Sequence, residues 1–142
     1  MYTCSKTYLD IPFAHRQHSH GGHCSFIHGH NWSFTFSFGC KELDEQGFVV
    51  DFGKLKFIRT WLEDTFDHAY VYNQDDEETE KLIQQSPQLF KAYKVESCSA
   101  EGLAKHVFEI ISKQLNANHG DRVRLLSVAV SEDQRNSAQY SA

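Results

Sequence analysis

Two prolines and one methionine are all that this 142-residue chain contains of either, and no internal repeat or low-complexity tract interrupts it. Without a linker to divide it, residues 1–142 read as a single domain, long enough to bury a core. No apolar run approaches the ~20 residues needed to cross a bilayer. Basic residues are in deficit, 14 Lys and Arg against 19 Asp and Glu, for a net charge of -5. That excludes the broad basic face of a nucleic-acid binder, while leaving room for a local basic pocket around an anionic small molecule. The segment Met1-Tyr2-Thr3-Cys4 lacks the charged and apolar regions of an export signal. Cys4, Cys24, Cys40 and Cys98 form no CxxC pair, so they read as reduced thiols and the expected location is cytoplasmic.

What the chain does have is aromatic residues, eleven of them Phe, and nine histidines, six of which fall between His15 and His30. Lys6 to Ala14 alternates, placing Leu9, Ile11 and Phe13 on one face of a strand. A Gly- and His-rich loop follows from Arg16 to Ile27. His28, His30, Trp32, Phe34, Phe36 and Phe38 then share one parity, and Asn31, Ser33, Thr35 and Ser37 the other. This pattern predicts a long strand with one apolar face. Gly39 to Gly47 reads as a turn returning through a third strand at Phe48-Val49-Val50. Asp51 reads as the N-cap of a helix whose stripe is Leu55, Ile58, Trp61, Leu62 and Phe66. The acidic stretch Asp75 to Glu80 predicts a solvated turn entering a short helix closed by Pro87, and Phe90 to Val95 another strand. A second amphipathic helix begins near Ser99, with Leu103, Val107, Ile110 and Ile111 buried, and Val123 to Ser131 is the final strand. The order predicts an α+β domain with an antiparallel sheet.

His28-Gly29-His30 sets two imidazoles on one face of a strand, and His15 ends the preceding strand on the parity of Ile11 and Phe13. Antiparallel pairing would bring the three together. Three neutral imidazoles without a fourth protein ligand suit catalytic zinc, although ligand type alone also admits iron, cobalt or nickel. An HxH alone is a weak motif, and His18, His20 or His23 could replace a chosen ligand. Those three sit in a Gly-rich loop, where fixed geometry is harder to keep. Cys24, four residues before His28, is the candidate proton-abstracting base, because a thiol ionises more readily beside a metal. Its alternatives are a fourth ligand closing the site, or an inert buried thiol, which fits Cys4 and Cys98 better. Asp67-His68 offers a carboxylate-oriented imidazole, or merely a helix end. Glu132, after the apolar strand, could accept two hydrogen bonds from a planar N–H pair on a heterocycle, or be an exposed strand-end glutamate.

The ordered set Phe13-Ala14-His15-Arg16, Cys24 to Asn31, Gly47 to Phe52, Phe66-Asp67-His68, Ser99 to Ala104 and Val128 to Glu132, with Tyr140 beyond, resembles the 6-pyruvoyl- and 6-carboxy-tetrahydropterin synthase superfamily. The three residues between Cys24 and His28 resemble the bacterial 6-carboxytetrahydropterin synthases of queuosine biosynthesis, since the pyruvoyl branch typically has a longer insertion. The resemblance implies a tunnelling fold (T-fold): a four-stranded antiparallel sheet with two helices on one face, assembling into a barrel as a homohexamer of two stacked trimers. It also implies zinc on His15, His28 and His30, Cys24 with Asp67 and His68 as catalytic residues, and Glu132 anchoring the pterin of 7,8-dihydroneopterin triphosphate. Arg16, or another basic residue, is expected at the triphosphate. The readings to separate from this are a pyruvoyl product and a non-catalytic, zinc-stabilised binding module. The sequence departs from the family pattern in three places: at Phe13, at Cys98-Ser99 ahead of the Glu101 helix, and at Asp133 after Glu132.

Overall fold

The computed structural model describes residues 1–142. Six strands, β1 (Tyr2–His15), β2 (His28–Cys40), β3 (Ala69–Asn73), β4 (Ala92–Val95), β5 (Arg124–Ser131) and β6 (Ser137–Ser141), form one sheet in the order β4-β3-β1-β2-β5-β6. Three helices accompany it: α1 (Lys56–Phe66), α2 (Glu77–Gln85) and α3 (Ala100–His119). The alternation of β2 is borne out, with Trp32, Phe34, Phe36 and Phe38 fully buried. Phe13 stacks on Trp32 at 4.3 Å between ring centroids, and Phe66 of α1 lies 5.0 Å from Phe13. Ile58 and Leu62 of α1, and Leu103, Val107, Ile111 and Leu115 of α3, join the same core. These are the two helices that the apolar stripes predict; in the second, Ile110 is only half-buried and Phe108 and Leu115 fill the stripe. Helix α2 buries little beyond Thr79 and stays at the periphery.

The expected four-stranded antiparallel sheet is corrected to a six-stranded mixed one. β3 and β4 add in parallel beyond β1, and β6 adds antiparallel beyond β5. All five residues of β3, Ala69-Tyr70-Val71-Tyr72-Asn73, are buried, so the strand shows no alternation by which to recognise it. The expected third strand at Phe48-Val49-Val50 does not form. Both edges of β2 are already occupied by β1 and β5, leaving that segment no ladder to join. Val49 and Val50 instead bury their side chains in the core. Asp51 caps a short 3-10 turn over residues 52–54 rather than α1 itself.

A bulge in β1 overturns part of the predicted alternation. Tyr8 pairs with Phe34 and Ile11 with Trp32, three steps against two, and Asp10 takes a left-handed φ of 61°. One extra residue inverts the facing of everything before it. Leu9 is therefore 67% exposed and Tyr8 takes the core place, its hydroxyl donating to the Leu55 carbonyl at 3.2 Å. No helix is long and apolar enough to cross a membrane.

Candidate active site

Beyond the bulge the register sets His15 directly opposite His28, and Phe13 opposite His30. The three imidazoles lie with centroids 4.7, 5.3 and 4.9 Å apart. One nitrogen from each falls within 4.8 Å of the others, and no other His, Cys, Asp or Glu joins the group. Trp32 packs edge-on beneath His15 and His30. His18, by contrast, is tied to Asn73 and Asp75, and His20 accepts the Gly22 N–H within its own loop. The structure thus chooses among the loop histidines that the sequence left open.

Hydrogen bonds to backbone carbonyls set the tautomers. A carbonyl can only accept, so Nδ1 of His15 donates to the Cys98 carbonyl and Nδ1 of His28 to that of Phe26, both at 2.7 Å. Each neutral ring then carries its lone pair on Nε2. Nε2 of His30 is buried with no hydrogen-bond partner; its nearest carboxylate oxygen, on Glu132, is 3.9 Å away. Such an orphan costs about 1–3 kcal/mol unless something fills the site. A divalent metal fits this donor set, and backbone carbonyls accepting from the far ring nitrogen are a common outer shell of metal-ligating histidines.

Burial holds His15 down to about 4, the Cys98 hydrogen bond opposing this and the other two rings adding to it. The unfolded chain takes up that proton near the ordinary 6.5, and the folded one only near 4. Between those values the unfolded state binds more protons, so this contribution to stability is complete above pH 6.5 and lost as the pH falls toward 4. Chelator-treated protein is therefore expected to show a falling urea midpoint across that window. A midpoint independent of pH there would contradict the assignment.

The support beneath His15 was not legible in the sequence. Asn73 is buried at the end of β3 and accepts the Cys98 N–H on Oδ1 at 2.7 Å, while the Cys98 thiol donates to the Arg16 carbonyl at 3.2 Å. Burial pushes the Cys98 thiol up to about 11, in keeping with an inert cysteine. A polar residue closing an apolar run was the one signal that could have exposed Asn73. Ser99 caps α3 by accepting the Gly102 N–H at 3.0 Å. Gly102 is compulsory there, since a Cβ would lie 2.4 Å from the Ser97 carbonyl oxygen.

Arg16, considered for the triphosphate, is already engaged. It donates to both carboxylate oxygens of buried Asp76 at 2.9 and 3.1 Å, and so binds the histidine loop to the start of α2. Asp76, expected in a solvated turn, also accepts from the Thr79 hydroxyl and N–H. Cys24 is a half-buried free thiol in the short turn His23–Ser25, and its carbonyl accepts from Gln17 N–H to close the loop. It lies outside the three-nitrogen cluster. Asp67 receives the Nδ1–H of His68 at 2.8 Å, but the pair projects outward, with the His68 side chain 81% exposed. Lys91 clamps the Asp67 carbonyl at 2.7 Å, and the His68 N–H reaches Pro12. Glu132 lines a polar cavity of about 560 Å³ with Asp10, His30, Asn31 and Ser33.

The model of the family described as 6-pyruvoyl tetrahydropterin synthase matches residues 4–142. A 6-carboxy-5,6,7,8-tetrahydropterin synthase of Rickettsia typhi is 31% identical over 108 residues, covering 75% of this chain and 78% of that protein. One of the same name from Aquifex aeolicus is 28% identical over 121 residues, covering 82% and 75%. Among solved structures, an uncharacterized protein of Wolinella succinogenes superposes with a TM-score of 0.86 at 19% identity, covering 99% of this chain and 97% of the other. The 6-pyruvoyl tetrahydropterin synthase of Plasmodium vivax gives 0.71 at 14%, covering 100% and 99%. These structural likenesses speak for the fold. With the family model spanning nearly every residue, the chain belongs to the 6-pyruvoyl tetrahydropterin synthase family.

Proposed function

We propose that this protein is a zinc-dependent 6-carboxy-5,6,7,8-tetrahydropterin synthase. It would convert 7,8-dihydroneopterin triphosphate and water to 6-carboxytetrahydropterin, acetaldehyde and triphosphate. The observation that carries this reading is the convergence of three imidazole nitrogens on one point, His30 Nε2 among them without a partner. The relatives named above support the carboxy product, as does the short spacing from Cys24 to His28.

His15, His28 and His30 would hold the metal. When bound, it supplies Lewis-acid stabilisation of negative charge developing on the substrate's side-chain oxygens. Cys24 takes a proton from the side chain. His68, fixed at Nδ1 by Asp67, presents Nε2 to return or relay protons. Glu132 accepts the N–H pair of the pterin edge. The outward projection of Asp67-His68 supports a pocket shared between subunits, in which that pair serves a neighbour's Cys24. The unpaired outer edges of β4 and β6 support assembly of the sheet into a larger barrel, read here as a hexamer. Four free thiols support a reducing compartment, the cytoplasm.

The test is incubation with dihydroneopterin triphosphate, with products identified by mass spectrometry. Equal yields of 6-carboxytetrahydropterin and acetaldehyde are expected. A pyruvoyl product without acetaldehyde would assign the chain to the other activity of its family.

A further inference from the structure

Five residues, 132–136, join β5 to β6 after the Ser131–Ser137 pair, and an aspartate organises them. Oδ1 of Asp133 accepts the backbone N–H of Arg135 at 2.8 Å and of Asn136 at 2.7 Å. The Asn136 side-chain amide reaches both Asp133 oxygens at 3.2 Å. Asn136 in turn accepts the Glu132 N–H on its carbonyl at 3.0 Å. The chain of contacts therefore runs from the Asp133 carboxylate through Asn136 to the Glu132 backbone. Glu132 is shared by two cavities, both of which this loop lines. One, of about 560 Å³, contains His30 and Asp10; the other, of about 380 Å³, contains Glu101 and Arg135.

We infer that Asp133 is a positioning residue for the substrate-binding carboxylate, holding the β5–β6 loop so that Glu132 meets the pterin edge at a fixed place and angle. This rests on the reading of Glu132 as the pterin anchor. Two parallel hydrogen bonds to a flat N–H pair tolerate little displacement, so loosening the loop weakens binding without touching the reacting atoms. The backbone N–H donors of Arg135 and Asn136 also hold the Asp133 carboxyl below the usual carboxylate range, which keeps it an acceptor. Three of the four Asp133 contacts fall on Oδ1, which is thereby committed to the loop.

Full-length Asp133→Ala, Asp133→Asn and Glu132→Gln would be assayed with dihydroneopterin triphosphate, and their affinity for 6-carboxypterin followed by its fluorescence. Asp133→Ala is expected to raise KM and the pterin Kd about tenfold with kcat within about threefold, the loss of roughly one hydrogen bond's worth of positioning. Asp133→Asn keeps a carbonyl oxygen toward the two backbone N–H groups and should restore most of the affinity. Glu132→Gln should weaken pterin binding at least as much. If Glu132→Gln weakens binding and Asp133→Ala does not, or if Asp133→Ala lowers kcat with KM unchanged, the positioning role is wrong while the anchor stands. If Glu132→Gln binds normally, the anchor falls and the positioning role with it. Amide hydrogen exchange on the unmodified protein needs no variant. Arg135 and Asn136 N–H groups should be protected, and exchange at the rate of a free loop would overturn the clamp.

Discussion

Replacing His28 by alanine should empty the proposed metal site and lower turnover at least about a thousandfold. Stabilisation of the developing charge by a metal is worth several kcal/mol, and ~4 kcal/mol is already three decades in rate. His28 is the best of the three to remove. His15 is 2% exposed and bonded to the Cys98 carbonyl, so its loss would leave an interior hole and a stray acceptor. His30 stands 3.9 Å from Glu132, and a change there would disturb the proposed substrate anchor. His28 lies at the first position of β2, half-buried, with its only side-chain bond to Phe26 nearby in sequence. The fold should survive its truncation. Elemental analysis should find near-stoichiometric zinc in the parent and little in the variant, with thermal midpoints close together. A variant with full zinc and normal turnover would remove the cluster from the mechanism.

Cys24→Ala should give the opposite pairing of results, metal retained and catalysis lost. The thiol lies outside the nitrogen cluster, so its removal takes away no ligand. A positioned base contributes about 10²–10⁴ to rate, and turnover should fall by that range. Zinc content and pterin affinity should stay near the parent's. Loss of zinc would instead make Cys24 a fourth ligand and the site a closed, structural one. Unchanged turnover with normal zinc would show that Cys24 is neither ligand nor base, and the proposed proton transfer would be wrong. Together the two substitutions separate holding the metal from moving the proton.

Not all of this architecture shows along the chain. The parity of Trp32 to Phe38 is plain because each residue's facing follows from its neighbours two positions away, and the stripes of α1 and α3 are plain for the corresponding reason at helical spacing. β3 escapes because burial on every side erases alternation, and β6, Ser137-Ala138-Gln139-Tyr140-Ser141, because it is too polar to stand out. Asp67 and His68 could be picked as a pair from their adjacency. Only the fold reveals that they face outward, held by Lys91 and by the strained φ of 63° at His68. Asp133, a mere departure from the family pattern when read in sequence, becomes the acceptor that closes the loop beside Glu132.

The sequence by itself determined which residues are candidates for chemistry: the same-face pair His28 and His30, the thiol four residues before His28, and the carboxylate after the apolar strand β5. Tertiary structure decided which of the histidines between 15 and 30 complete the cluster. His15 reaches its partners because the β1–β2 register, unbroken from Ile11 onward, sets it opposite His28. Its ring is fixed by a carbonyl 83 residues away, held in turn by Asn73 from a parallel strand. Local periodicity depends only on near neighbours, whereas register, bulges and second contacts depend on which edges pair, and that is settled when the whole core closes.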